Sequence, residues 1–371
     1  MIYLDSAATS FYKPRSVAQA VTEAMRGMSS PGRGAYPSAM RAADTLLDCR
    51  MELAEMFHVP QPEQVVFCSN ATHGLNIAAA SLVSPGDRVV VSGYEHNAVT
   101  RPLYAAGAVI EPARAPLFDD EATVAAFRER IPGAAAVFCT HVSNVFGYIL
   151  PVGRIAALCR EYGVPFVLDA SQSAGVLPVD FTALGAAFCA MPGHKGLLGP
   201  QGTGVLLVNS ASKPLLCGGT GSNSAYADMP DFLPDRLEAG THNVPGIAGL
   251  LAGCRWLRSR PAGAVLAHEQ MLMRRMEQYI VANRNIELFD SPQPEKQAGV
   301  LSMRFSRLDV ESAAQALSAR GVAVRAGLHC APYAHRTAGT LESGTLRVSF
   351  SPFNTPAQVR AAAGYLMEIA G

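Results

Sequence analysis

The chain has 371 residues, 49% of them hydrophobic and only 16% charged, with 33 Gly, 25 Pro and 30 basic side chains against 30 acidic ones. That composition describes a soluble globular protein of about two domains' length, and zero net charge without a long Lys/Arg block excludes the electrostatic footprint of a nucleic-acid or anionic-lipid binder. No apolar run approaches the roughly 18 residues of a membrane span, and the opening Met1-Ile2-Tyr3-Leu4-Asp5 lacks a basic segment leading into an apolar one, so a cytoplasmic location is expected.

From about residue 65, short apolar runs alternate with stretches of helical period. Val65-Val66-Phe67-Cys68, Val89-Val90-Val91-Ser92, Ala135 to Cys139 and Phe166-Val167-Leu168 read as strands, and Pro151 to Tyr162 reads as a helix. Strands apolar on both faces and separated by helices predict a mostly parallel sheet covered on both sides, an α/β core. Beyond about Leu250 long helical stretches and two further strand candidates, 299–305 and 345–350, predict a smaller α+β unit. The expected division is a large domain over 15–250 and a small one built from 1–14 and 251–371.

In parallel sheets ligands sit beyond the carboxyl ends of the strands, so the polar residues that follow apolar runs are the candidates. Ser69-Asn70-Ala71-Thr72-His73-Gly74 links a strand to a helix with small polar residues, where free N–H groups suit a phosphate. Glu95-His96-Asn97 places an imidazole at a strand exit, and His141-Val142-Ser143-Asn144 offers a neutral donor at another. Asp169 ends an apolar strand. A buried carboxylate there asks for a cation, of which a protonated pyridine nitrogen is one, with capping of the next helix the alternative.

Gly193-His194-Lys195-Gly196 follows the run 186–191, and a desolvated Lys195 is competent to form a Schiff base with an aldehyde. Gly199-Pro200-Gln201-Gly202-Thr203-Gly204 runs into a strand instead of a helix and lacks the Lys-Ser/Thr of a P-loop, so it carries no nucleotide fingerprint. Eight cysteines are scattered without a Cys-x-x-Cys pair, which predicts reduced thiols and neither a disulfide framework nor a metal site. Cys330 differs from the rest: it lies in Arg325-Ala326-Gly327-Leu328-His329-Cys330-Ala331-Pro332, a loop whose positive neighbours favour a nucleophilic thiolate. Arg347, in the following strand, is a candidate carboxylate clamp.

In order and spacing these residues, from Tyr3-Leu4-Asp5-Ser6-Ala7-Ala8-Thr9 to Arg347 and Asn354-Thr355, resemble the fold-type I enzymes of pyridoxal 5'-phosphate. The particular likeness is to the cysteine desulfurase and selenocysteine lyase family of class V aminotransferase-like proteins. The resemblance implies a seven-stranded, mostly parallel sheet sandwiched by helices. It implies that Lys195 carries the cofactor, Asp169 pairs with its ring nitrogen, Gln172 bonds its phenolic oxygen and His96 stacks on its ring. Asn144 would contact a cofactor oxygen or the substrate carboxylate. Thr72, the His73 backbone and the His194 side chain would take the phosphate, with Thr241 of Glu238-Ala239-Gly240-Thr241 arriving from the second subunit of a homodimer.

Cys330 would accept sulfur from L-cysteine, releasing L-alanine, and Arg347 would hold the substrate carboxylate. The stretch Arg-x-Gly-x-His-Cys-Ala is similar to a subgroup that passes its persulfide to an acceptor protein. Two positions depart from the pattern: Pro192 stands where a Ser or Thr phosphate ligand is common, and Leu328 replaces the first His of a His-His-Cys run. Lysis of L-selenocysteine, the reaction of a related transaminase or epimerase, and an idle scaffold for a sulfur-carrier partner are the alternatives.

Overall fold

The structure is a computed structural model and describes residues 1–32 and 34–371. Two helices, α1 (Arg15–Gly27) and α2 (Pro37–Met56), precede a run of strands and helices: β2 (Val65–Cys68), α3 (Ala71–Leu82), β3 (Arg88–Ser92), α4 (Asn97–Ala105), β4 (Val109–Ala113) and α5 (Asp120–Arg130). The run continues with β5 (Ala136–Thr140), α6 (Val152–Glu161), β6 (Phe166–Asp169), α7 (Phe181–Leu184), β7 (Phe188–Pro192), β8 (Gly204–Val208) and α8 (Val244–Arg258). The short β1 (Ile2–Tyr3) lies ahead of all of them.

β2 to β8 form one seven-stranded sheet in the order β2-β8-β7-β6-β5-β3-β4. β8 alone runs against its neighbours β2 and β7. The expected mostly parallel, seven-stranded architecture is therefore found. Alternation along each strand divides the core: Val65, Phe67, Val90, Val137, Leu168 and Met191 pack with α2, α6 and α8 on one face. Val66, Val89, Val91, Phe138, Val167 and Leu206 pack with α3 and α4 on the other. Every side chain of β5, β6, β7 and β8 is buried, which is why these strands read as unbroken apolar runs.

The remaining elements are α9 (Ala264–Ile280), β9 (Ile286–Phe289), β10 (Val300–Phe305), α10 (Val310–Ala319), β11 (Val322–Ala323), β12 (Arg325–Gly327), α11 (Pro332–Ala338), β13 (Thr345–Ser349) and α12 (Pro356–Ala370). A four-stranded sheet, β12-β13-β10-β9, packs Leu301, Met303, Leu346 and Val348 against α9, α10 and α12 in a separate core. The amino-terminal segment joins this part, because β1 pairs with β11 and Leu4 belongs to the same core.

One buried group there has a measurable consequence. Glu269 on α9 is 7% exposed, and burial pushes its carboxyl up to about 8. A folded pKa above the unfolded one gives stability that is complete below the unfolded value of 4.5 and is lost as pH rises through about 8. Glu269→Gln cannot ionise, so its Tm is expected to gain on that of the native chain by a few degrees as pH is raised from 5 to 8.5. Scanning calorimetry at several pH values checks this.

Candidate active site

Five parallel strands, β2, β3, β5, β6 and β7, deliver their carboxyl ends to one edge of the sheet, and β8 begins there. A cavity of about 380 Å³ opens at that edge and is lined by Thr72, His96, Asn144, Asp169, Gln172, His194, Lys195, Cys330 and Arg347. Nine of the residues singled out from the sequence thus share one chamber.

Asp169 closes β6 at 3% exposure, and its Oδ1 accepts the Ser171 N–H at 2.9 Å. Lys195 leaves β7 through Gly193-His194 and lines the same chamber. Its ammonium is pulled down to about 8 by burial against the opposing pull of Asp169, with Arg347 and Arg325 lowering it further. The flanking glycines are required by close approach: a Cβ on Gly193 would lie 2.1 Å from Thr203 Oγ1, and one on Gly196 would lie 2.3 Å from the Ala174 carbonyl oxygen.

His96 caps α4. Its Nδ1 accepts the Ala98 N–H at 3.0 Å, which places the proton of the neutral ring on Nε2. Burial, then Lys195, lowers its pKa to about 4. The phosphate-turn candidate is the start of α3, where Asn70 Oδ1 accepts the His73 N–H at 2.9 Å. This cap occupies the His73 backbone donor that the resemblance assigns to a phosphate, and it leaves the N–H groups of Ala71 and Thr72 at the head of the helix. The turn fits against β8 only because residue 204 is glycine: a Cβ there would lie 2.6 Å from Asn70 Cα. Gly204→Ala is expected to displace the turn and weaken pyridoxal phosphate binding by about tenfold or more without altering far-ultraviolet dichroism, as equilibrium titration with the cofactor would show.

Two assigned residues stand elsewhere. His73 and Thr241 line a neighbouring cavity with Phe67, Glu238 and His242, and Thr241 is exposed. Its stretch is fixed by the buried Glu238, which accepts from Arg50 Nη1 at 2.9 Å, meets His242 Nε2 at 2.6 Å and receives the Phe67 N–H. His194, also lowered to about 4 by burial, sets Nδ1 3.0 Å from Thr9 Oγ1. Gln172 Nε2 donates to the Ala7 carbonyl at 2.9 Å and retains a second N–H.

Cys330 lies between β12 and α11 and is exposed. His329 and Cys330 both adopt left-handed backbone, φ +49° and +55°, held from two sides: Asn144 Nδ2 donates to the His329 carbonyl at 2.9 Å, and the Asn97 N–H donates to the Cys330 carbonyl at 2.7 Å. His329 is held as a neutral ring. Its Nε2 faces the Thr345 carbonyl at 3.1 Å, and burial lowers its pKa to about 2.

Arg347 is buried at 2% exposure, with Nη1 donating to the Asn144 carbonyl at 2.9 Å and Nη2 to Asp5 Oδ1 at 2.8 Å. Arg325 reaches Asp5 Oδ2 at 3.0 Å. Asp5 and Arg325 were not among the expected site residues, yet Leu4-Asp5 repeats the pattern of Leu168-Asp169, an acid directly after apolar chain.

This geometry has known counterparts. Residues 2–361 match the family description "Aminotransferase class-V", and the chain belongs to that family. Within it the similar proteins carry a narrower name. A probable cysteine desulfurase of Methanothermobacter thermautotrophicus is 32% identical, with 100% of this chain and 95% of the relative covered. One from Haemophilus influenzae is 31% identical over 97% of this chain and 84% of its own. The apo structure of a cysteine desulfurase from Thermococcus onnurineus NA1 superposes with a TM-score of 0.90 at 29% identity, covering 100% of this chain and 94% of that one. The cysteine desulfurase CsdA from Escherichia coli gives 0.87 at 28% identity, covering 100% and 95%.

Proposed function

We propose that the protein is a cysteine desulfurase that uses pyridoxal 5'-phosphate and transfers the sulfur of L-cysteine to Cys330. The observation that carries this reading is an exposed thiol sharing one chamber with an amine and a carboxylate at strand ends and with a buried arginine. The donor set suits the cofactor: Lys195 for its aldehyde, Asp169 for its ring nitrogen, Gln172 for its phenolic oxygen, and the head of α3 with His194 for its phosphate. When bound, pyridoxal phosphate would supply an electrophile for the substrate amine and a sink for the electrons left on carbon.

The residues divide the remaining work. Lys195, with a pKa near 8, exists in part as the free amine at neutral pH and can take the Cα proton. Arg347 and Asn144 orient the substrate carboxylate, and His96 covers the ring. The Cys330 thiolate forms a new S–S bond as the substrate C–S bond breaks, the bonding pair stays on carbon, and a proton completes alanine. Cysteine plus thiol thus become alanine plus persulfide with no external oxidant or reductant. Thr241, exposed on a stretch anchored by Glu238, belongs by this reading to the neighbouring site of a homodimer. The persulfide then passes to an acceptor protein.

The same proposal places the large unit at 15–250 and the small one at 1–14 and 251–371, supported by the confinement of the two main sheets to 65–208 and 286–349. It places the protein in the cytoplasm, where eight free cysteines are at home. Among the described residues no helix is long and apolar enough to cross a membrane. Incubating cofactor-loaded protein with L-cysteine and a reductant tests the reading: alanine and sulfide in equal amounts support it, and turnover of L-selenocysteine alone overturns it in favour of a lyase.

A further inference from the structure

The two arginines of the chamber stand directly opposite each other. β12 and β13 pair antiparallel with Arg325 against Arg347 in register, a juxtaposition of like charges that is destabilising unless a counter-charge is supplied. Asp5 supplies it, one carboxylate oxygen to each guanidinium, at 2.8 Å and 3.0 Å. Its place is fixed by backbone: Asp5 bridges to Ser349 at the end of β13, and the Ser349 N–H donates to the Leu4 carbonyl. Asp5 is 7% exposed, and unlike both arginines it does not line the chamber.

We infer that Asp5 is a specificity-determining residue that leaves the arginine pair with one unbalanced positive charge and so restricts the site to amino acids bearing a single carboxylate. The inference rests on the amino-acid-binding part of the proposed function. The charge count is that of the cluster of Arg325, Arg347 and Asp5. Lys195 and Asp169 oppose one another, and burial keeps the rings of His96, His194 and His329 neutral at pH 7. Two guanidiniums less one carboxylate equal the charge of one substrate carboxylate. A second carboxylate on the substrate would find no unbalanced cation left in the cluster of Arg325, Arg347 and Asp5, and a charge taken from water without a partner is costly. Geometry acts in the same sense. Nη1 and Nη2 of Arg347 each have a committed partner, and its Nε is buried without one among the described residues.

The test compares dissociation constants of L-alanine and L-aspartate, titrated by absorbance into the cofactor-loaded enzyme. Asp5→Asn keeps the size of the side chain and removes its charge, so the preference for alanine over aspartate is expected to fall by at least about tenfold. A ratio unchanged in Asp5→Asn, while the native enzyme turns over cysteine, overturns this inference alone. A native enzyme that binds no amino acid overturns it together with the proposed function. Should Asp5→Asn fail to fold, Arg325→Gln carries the opposite expectation: the local charge falls to zero, alanine weakens at least about tenfold, and ethylamine, which has no carboxylate, binds unchanged. Alanine binding unaffected by Arg325→Gln refutes the charge argument.

Discussion

Replacing Lys195 with Ala is expected to reduce turnover of L-cysteine by about 10³-fold or more, because one amine has two tasks that no neighbour can assume. By the proposed function it holds the cofactor's aldehyde covalently and also takes the proton from the substrate Cα. His96 is no substitute: its Nδ1 is committed to the Ala98 N–H, and burial holds the ring neutral with its proton on Nε2. Lys195→Arg should fare no better, since a guanidinium does not deprotonate in this range. Borohydride reduction followed by mass spectrometry separates the two tasks, with the native protein retaining the cofactor covalently and Lys195→Ala losing it. The native amine adds a pH signature. Burial lowers its pKa to about 8, and only the neutral amine attacks an aldehyde. Covalent loading of the apo-protein should therefore accelerate as pH rises through that value and then level off. Retention of substantial desulfurase activity by Lys195→Ala would remove the lysine from the chemistry.

Much of this chamber was legible because the sheet is parallel and buried. An unbroken apolar run marks such a strand, and its first polar successor marks the ligand edge, which is how Asp169, His96 and Lys195 were found. The same rule fails where a strand is not buried on both faces. β4 contains Glu111 and Pro112 and lies at the sheet edge beside β3, where a missing backbone donor is tolerated, so no apolar run announced it. The reversal of β8 left no trace in its composition, since its five side chains are all buried like those of the parallel strands. The glycines before it, dismissed as a nucleotide loop, prove to matter for another reason, the close passage of Asn70 over Gly204.

Arg347 was read from the sequence as a candidate clamp, and the structure buries it at 2% exposure. Its partner Asp5 lies 342 positions away. No local pattern encodes a pairing at that separation, because it arises only when the amino-terminal segment is laid beside β13. Thr241 and His73 illustrate the converse. Thr241 was assigned from likeness alone and His73 also from its turn after β2, and the single chain places both in a cavity beside the main chamber, where a second subunit would be needed to bring Thr241 to a phosphate.

Cys330→Ala is the second substitution with a large expected effect: alanine and sulfide formation from L-cysteine should fall by about three orders of magnitude, while cofactor binding and the spectral response to L-cysteine persist. The separation follows from the way the loop is held. The His329 and Cys330 carbonyls are tied to Asn144 and to the Asn97 N–H, contacts made by backbone atoms that survive loss of the sulfur. Both left-handed residues remain non-glycine, so truncation to Ala adds no new strain at φ +55°. What disappears is the one exposed thiol that lines the chamber among the described residues. Cys139 and Cys189 are buried within β5 and β7, with thiols pushed up by burial, and cannot serve as acceptors. In the native enzyme, mass spectrometry after a single turnover without reductant should place one additional sulfur atom on the peptide containing Cys330. With L-selenocysteine the weaker carbon–selenium bond can break with its bonding pair left on carbon, releasing selenium at the elemental level for the added thiol reductant to convert to selenide, so Cys330→Ala should spare that reaction far more than the reaction of cysteine. Equal losses for both substrates would give Cys330 a role in the carbon chemistry, and equal retention would leave it outside the reaction altogether.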